Sequence, residues 1–153
     1  DEWSGVKAPA GAPELKAVTV DPKKAVLLVM DFNKNNCIPA QRPRCATALP
    51  KVQKILNEAR AKGMLVVHTI TTRMKQDDIS ADVLPKAGEH VLTAPVDKFT
   101  DNDLAQTLRE KGIDTVITCG TSANGAVLFT AAGAVLRGFK VIDRKSTRLN
   151  SSH

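Results

Sequence analysis

The chain has 153 residues and a net charge of +6, with 42% hydrophobic and 25% charged residues, enough for one globular domain with its own core. No apolar run reaches membrane-spanning length, and no internal repeat or low-complexity tract is present. The basic excess is spread along the chain rather than gathered in a patch, which argues against a nucleic-acid partner.

Residues 1–22 hold three of the eight prolines and little periodicity, and are expected to form an extended arm anchored by Trp3. With neither an initiator Met nor a signal peptide, the start reads as a mature end after export or as the edge of a fragment. Localisation stays open, with a lean to export.

Ala25 to Met30 (AVLLVM) is a continuous apolar run ending in Asp31, the pattern of a central parallel strand with a polar residue at its carboxyl end. A loop, FNKNNCIPAQRPRC, follows. Pro50 is expected to open a helix to about Lys62, with Val52, Ile55, Leu56 and Ala59 on one face and Gly63 as its stop. Met64 to Ile70 reads as the second strand, and His90 to Leu92 as a short third one. The polar stretch between them, Thr71 to Glu89, has no clear assignment beyond a turn near Pro85. Asp101 or Asn102 caps a helix to Lys111, with Leu104 and Leu108 facing inward.

The stretch Val116 to Phe139 organises the rest. Thr115 to Cys119 reads as a buried strand, Gly120 to Gly125 as a small-residue turn, and Asn124 to Arg137 as a helix. Between Ala126 and Leu136 only Thr130 is polar, so that helix is expected to be covered on most sides. Phe139 to Ile142 begins a fifth strand. A strand that feeds a helix through small residues aims backbone N–H groups at one point, a site for an anion or a developing oxyanion; a plain βα turn is the other reading. Strands alternating with helices imply an α/β fold, Rossmann-like, with helices on both faces of a parallel sheet. Sites in such sheets gather beyond the carboxyl ends of the strands, where Asp31 and the Gly120–Gly125 turn both fall.

Residues 143–153 (DRKSTRLNSSH) break the pattern abruptly. The string resembles a translated sequencing adapter and is expected to be a non-native tail, so Ser146, Ser151 and His153 are set aside as catalytic candidates. Its three basic groups and one acid carry +2 of the +6, leaving +4 on residues 1–142.

Three pieces in order, AVLLVMDFN (25–33), PVDKF (95–99) and GTSANGAVLFTAAGAVLRGFKV (120–141), resemble the isochorismatase-like hydrolases, the cysteine hydrolase family. The resemblance implies an isochorismatase-like domain over 23–142, a Rossmann-like three-layer sheet in order 3-2-1-4-5, and a natural C-terminal strand and helix missing from this chain. It implies hydrolysis of small amides or related C–N substrates, a small-molecule partner, no cofactor, and a homo-oligomer. The positions it assigns to chemistry are Asp31 as the base, Lys98 as the cation that lowers a thiol pKa, and Ala126 where members carry the nucleophilic Cys. It also places a cis peptide between Thr121 and Ser122, whose N–H groups help form an oxyanion hole. Asn33, Phe99, Ser122, Asn124 and Gly125 are the accompanying candidates for holding substrate and oxyanion.

Alanine has no reactive atom, and losing the nucleophile of a comparable triad costs on the order of a million-fold in turnover. A catalytically inactive small-molecule-binding or assembly protein of the same fold is therefore the alternative. The Asp and His metal set of nicotinamidases finds no match after His68, where the chain runs TITTRMKQDD, so no metal is expected.

Each candidate has a plainer reading. Asp31 can serve as a turn cap, Lys98 as a solvated lysine beside Asp97, and Phe99 as core packing. A buried Asp31–Lys98 pair would keep both groups charged. Cys119 reads as a buried core thiol or, less readily, as a displaced nucleophile. Cys37 and Cys45 would form a disulfide in an exported protein; otherwise both are thiols and Cys37 can reach the cleft. His68 reads as a core histidine and His90 as a surface one.

Overall fold

The computed structural model describes residues 17–143. Most of the expected N-terminal arm, with Trp3, and all of the tail but Asp143 lie outside the described residues. Five strands form one sheet: β1 (Ala25–Met30), β2 (Leu65–Ile70), β3 (His90–Thr93), β4 (Thr115–Gly120) and β5 (Lys140–Asp143). All pairs are parallel, in the order β3-β2-β1-β4-β5. This is the expected α/β topology. β5 runs one residue into the segment assigned to the tail, through Asp143.

Both faces of the central strand are buried, which is why AVLLVM shows no polar alternation. Ala25, Leu27 and Val29 point into a core shared with α1 (Pro43–Ala61). Val26, Leu28 and Met30 point into a second core on the opposite face, beneath α2 (Leu104–Glu110) and α3 (Leu128–Leu136). β1 sits between β2 and β4, so its carboxyl end is flanked on both sides.

The helices depart from expectation in three places. α1 begins at Pro43, and Pro50 lies inside it. The buried stripe of Cys45, Ala48, Leu49, Val52, Leu56 and Ala59 carries the amphipathic face a further two turns upstream. Pro43 fills the first-turn position where a missing N–H costs nothing, and Pro50 is exposed, with its ring on the solvent side. α2 begins at Leu104, whose N–H donates to the Asn102 side chain at 3.0 Å.

α3 is not covered on most sides. Thr130, Gly133 and Ala134 form its buried stripe, while Leu128, Phe129 and Val135 are about half exposed and Leu136 is 86% exposed. The buried stripe holds the loop from Pro95 to Thr100. Thr130 Oγ1 accepts the Lys98 N–H at 3.2 Å and donates to the Val96 carbonyl at 3.3 Å. Arg137 donates to the Phe99 carbonyl at 3.3 Å and to Asp97 at 3.4 Å. Asp97 in turn accepts the Phe99 N–H and the Thr100 hydroxyl, at 3.0 and 3.1 Å. Gly133 lies directly opposite this carboxylate: a Cβ there would come within 2.6 Å of Asp97 Oδ1.

At the far edge of the sheet Glu89 receives two hydrogen bonds from Arg60 and one from His68. Burial raises the Glu89 pKa, but the bonds from Arg60, the Lys86 N–H and His68 outweigh it and bring the carboxyl down to about 2. His68 is buried as expected, yet only its Nε2 is satisfied; Nδ1 has no partner among the described residues. His90 is exposed, as expected.

Replacing a helical glycine by alanine ordinarily stabilises by about 1 kcal/mol. Gly133→Ala is expected to reverse that sign and lower Tm, because the pinned Asp97 carboxylate has to give way. Thermal unfolding checks this, and Asp97→Ala added to Gly133→Ala should recover part of the loss.

Candidate active site

Asp31 is the first residue beyond β1 and adopts a left-handed backbone conformation, φ 61°. Aspartate tolerates that region better than most residues. Its N–H donates to the Thr69 carbonyl at 3.0 Å, so the chain is still tied to β2 as it turns. The side chain is buried, at 8% exposure. Lys98, wholly buried, places Nζ 2.7 Å from Asp31 Oδ2 and donates to the Ala94 carbonyl at 3.4 Å. Thr69 Oγ1 donates to the other carboxylate oxygen at 3.1 Å.

The surface-lysine reading of Lys98 therefore fails. The loop after β3 is bonded to α3, and the lysine stem runs inward, towards the end of β1. Burial is the largest influence on Asp31 and raises its pKa above the ordinary 3.8, against the lowering effects of the Lys98 charge and of hydrogen bonds from Lys98 and Thr69. The pairing thus offsets part of the desolvation of the aspartate and leaves its pKa raised.

β4 delivers the turn. Gly120 packs so close to β1 that a Cβ would sit 2.7 Å from Met30 Cβ, and the Thr121 N–H donates to the Met30 carbonyl at 3.2 Å. The Thr121–Ser122 peptide is cis, as the family resemblance implied. From Ala123 to Val127 the backbone makes one wide, irregular turn, bent at Gly125 (φ −115°, ψ −112°), before α3 begins. The expected helix from Asn124 is thus broken at its start. The Gly125 and Val127 N–H groups both donate to the Ser122 carbonyl, at 3.1 and 3.2 Å. A Cβ on Gly125 would press on Ser122 Oγ at 2.9 Å.

These ends enclose a cleft of about 710 Å³. Asp31, Asn33, Ser122, Gly125 and Ala126 line it, so five of the expected site residues come together. Ala126 is buried at the head of the turn. Asn33 Oδ1 also accepts the Asn35 N–H at 2.7 Å, which turns the loop beyond Asp31.

Other expected residues fall elsewhere. Asn124 is exposed and does not line the cleft, because the irregular turn points it outward. Phe99 is core: it stacks on Phe139 with ring centroids 5.8 Å apart, on the far side of the loop from the Lys98 ammonium. Cys119 is buried in the core beneath α1, away from the cleft. Cys37 is joined to Cys45 in a disulfide, so the reading of a reactive Cys37 thiol in the cleft is set aside.

Sequence reasoning passed over Arg42 and Arg73, which also line the cleft, as does Thr121 of the expected cis peptide. The one signal of the two arginines is position, just before α1 and shortly after β2. Among the described residues no three His, Cys, Asp or Glu side chains group as metal ligands, and no helix is long and apolar enough to cross a membrane.

Comparison with known proteins agrees with this architecture. Residues 25–142 match the model of the isochorismatase domain. The maleamate amidohydrolase of Pseudomonas putida is 28% identical, over 78% of this chain and 70% of its own. The N-carbamoylsarcosine amidase of an Arthrobacter species is 27% identical over 71% of this chain, which spans only 52% of that protein. The crystal structure of N-carbamoylsarcosine amidase from Thermoplasma acidophilum superposes with a TM-score of 0.75 at 27% identity, covering 85% of this chain and 86% of that one. A parallel sheet in this order, carrying the Asp31 and Ser122 ends into one cleft, is thus the frame of a known group of hydrolases, and the chain belongs to the isochorismatase family.

Proposed function

We propose that the chain hydrolyses small amides or related C–N bonds, with a water molecule as the nucleophile. The observation that carries this is the Asp31–Lys98 pair: a buried carboxylate held at 2.7 Å from a buried ammonium, opening on the same cleft as the Thr121–Ser122 turn. Asp31 is the general base. It takes a proton from water as the water oxygen bonds to the carbonyl carbon, and that proton then passes to the leaving nitrogen as the C–N bond breaks. Lys98 is a positioning residue, holding the carboxylate in one orientation from below. With the Gly125 and Val127 amides committed to Ser122, the amides of Ser122 and Ala126 are the ones proposed to meet the oxyanion. Amidohydrolase activity in two relatives supports the substrate class.

A second reading has its own observation. Ala126 occupies the position that the family resemblance gives to the nucleophilic Cys, and a methyl group cannot attack. The same cleft would then bind a small molecule without changing it.

Turnover of a panel of small amides separates the two. The parent is expected to act slowly, and Asp31→Asn to reduce its rate by about a hundredfold, the usual scale of a general base. Ala126→Cys, which puts a thiol over the same base, is expected to raise turnover by about a hundredfold or more. A parent rate unchanged by Asp31→Asn rejects the water mechanism, and activity in Ala126→Cys alone rejects hydrolysis by the parent and leaves a retired hydrolase or a binder.

The pH profile supplies an independent check. Because burial raises the Asp31 pKa, its base form is lost at higher pH than in an exposed aspartate. The acid limb of kcat/KM is therefore expected above pH 3.8, the ordinary aspartate value, with rates rising as pH increases through it. Thr69→Val removes a hydrogen bond that lowers this pKa and should move the limb further up; a limb that stays in place in that variant excludes Asp31 as the titrating group.

A further inference from the structure

We infer that the cleft contains a carboxylate-binding subsite built on Arg42, so that the amide it takes carries an acid group; this rests on the hydrolase reading above. The argument is one of charge and anchoring. Among the described residues Asp31 is the sole acidic one lining the cleft, and Lys98 already lies against it at 2.7 Å. The other ionic groups on the lining are two guanidiniums, Arg42 and Arg73. Among the described residues neither forms an ion pair. Among the described residues the cleft lining therefore carries a positive excess, with no anion paired to either guanidinium.

Arg42 is also fixed in place. Its Nη1 donates to Thr121 Oγ1 at 2.9 Å, and Thr121 is the buried residue that opens the cis peptide. That bond secures one nitrogen and leaves further N–H groups of the fork for a carboxylate, which a planar guanidinium recognises better than an ammonium does. The backbone is secured as well. Arg42 lies within the loop closed by the Cys37–Cys45 disulfide, donates its N–H to the Ile38 carbonyl at 2.8 Å, and stands at the N-terminus of the 19-residue α1. A group ordered beforehand loses less freedom when an anion binds. Arg73, exposed like Arg42, follows β2 and has no comparable anchor, so it adds charge more than direction.

Isothermal titration with three probes of nearly equal size tests this: succinamate (one amide, one carboxylate), succinamide (two amides) and succinate (two carboxylates). The parent is expected to bind succinamate about tenfold more tightly than succinamide, equivalent to about 1.4 kcal/mol. Arg42→Gln should abolish most of that preference while leaving succinamide affinity within about twofold, and Arg42→Lys should restore it only in part. Thr121→Val, which removes the anchor and keeps the charge, should weaken succinamate binding as well. Equal affinity for the two amides, or a preference untouched by Arg42→Gln in a variant with parental Tm, overturns the subsite. Succinate separates the two readings. Arg42-dependent succinate binding without turnover of any amide keeps the subsite and rejects the hydrolase; amide turnover with no preference for the charged probe does the reverse.

Discussion

The arrangement of this molecule turns on two charges that have been taken out of water. Lys98 is wholly buried and Asp31 nearly so, and each is tolerable only because the other stands 2.7 Å away. Placing both groups takes most of the fold. β1 has to end at Asp31, β2 has to present Thr69 beside it, and the segment after β3 has to return across the sheet with its lysine pointing inward. Removing either charge leaves the other buried without compensation, so the pair constrains everything that positions it. Burial still leaves the aspartate with a raised pKa, which makes it a better proton acceptor than an exposed carboxylate would be.

α3 makes that placement possible. One helix face does two jobs: Ala134 packs into the second core, and Thr130 and Gly133 accommodate the lysine loop. Thr130 holds the loop backbone on both sides of Asp97, Gly133 leaves room for the Asp97 carboxylate, and Arg137 reaches the carbonyl beyond Lys98. The same helix grows out of the Ser122 turn. The cation partner of Asp31 and the proposed oxyanion donors are thus set by one rigid element, and a displacement of α3 would move both together.

Much of the fold was legible because the strands are short, apolar and evenly separated by helical lengths. AVLLVM followed by Asp is hard to read as anything but a central strand ending at a cleft. Lys98 was the hardest to place from residues alone: beside Asp97 it looks solvated, and the hydrogen bonds that fasten its loop come from Thr130 and Arg137, 32 and 38 residues on from the backbone groups they hold. Pro50 misled for a local reason. A proline is a sound marker of a first helical turn, but it is also tolerated on the exposed side of a long helix whose buried stripe carries through. Asn124 was misplaced because the irregular turn at Gly125 does not continue the helical period of α3. The exposed face of α3 could not have been foreseen, since an apolar helix looks the same in sequence whatever covers it. Arg42 was passed over because its hydrogen bond is to Thr121, 79 residues away.

The pair also bears on what the cleft is for. Stability is a weak reason to keep buried opposite charges, since apolar residues of similar volume commonly do as well or better. A pair used only to fill space would be no worse facing the core, with both partners' remaining hydrogen-bonding positions closed. Here the lysine is sealed on the inside while the aspartate lines the cleft, beside the cis peptide and the methyl of Ala126. That polarity, cation within and carboxylate outward, is what proton transfer requires and what packing does not. It remains intact with alanine at position 126. In the proposed hydrolysis position 126 offers no thiol, and a water molecule is the smallest nucleophile that could act there.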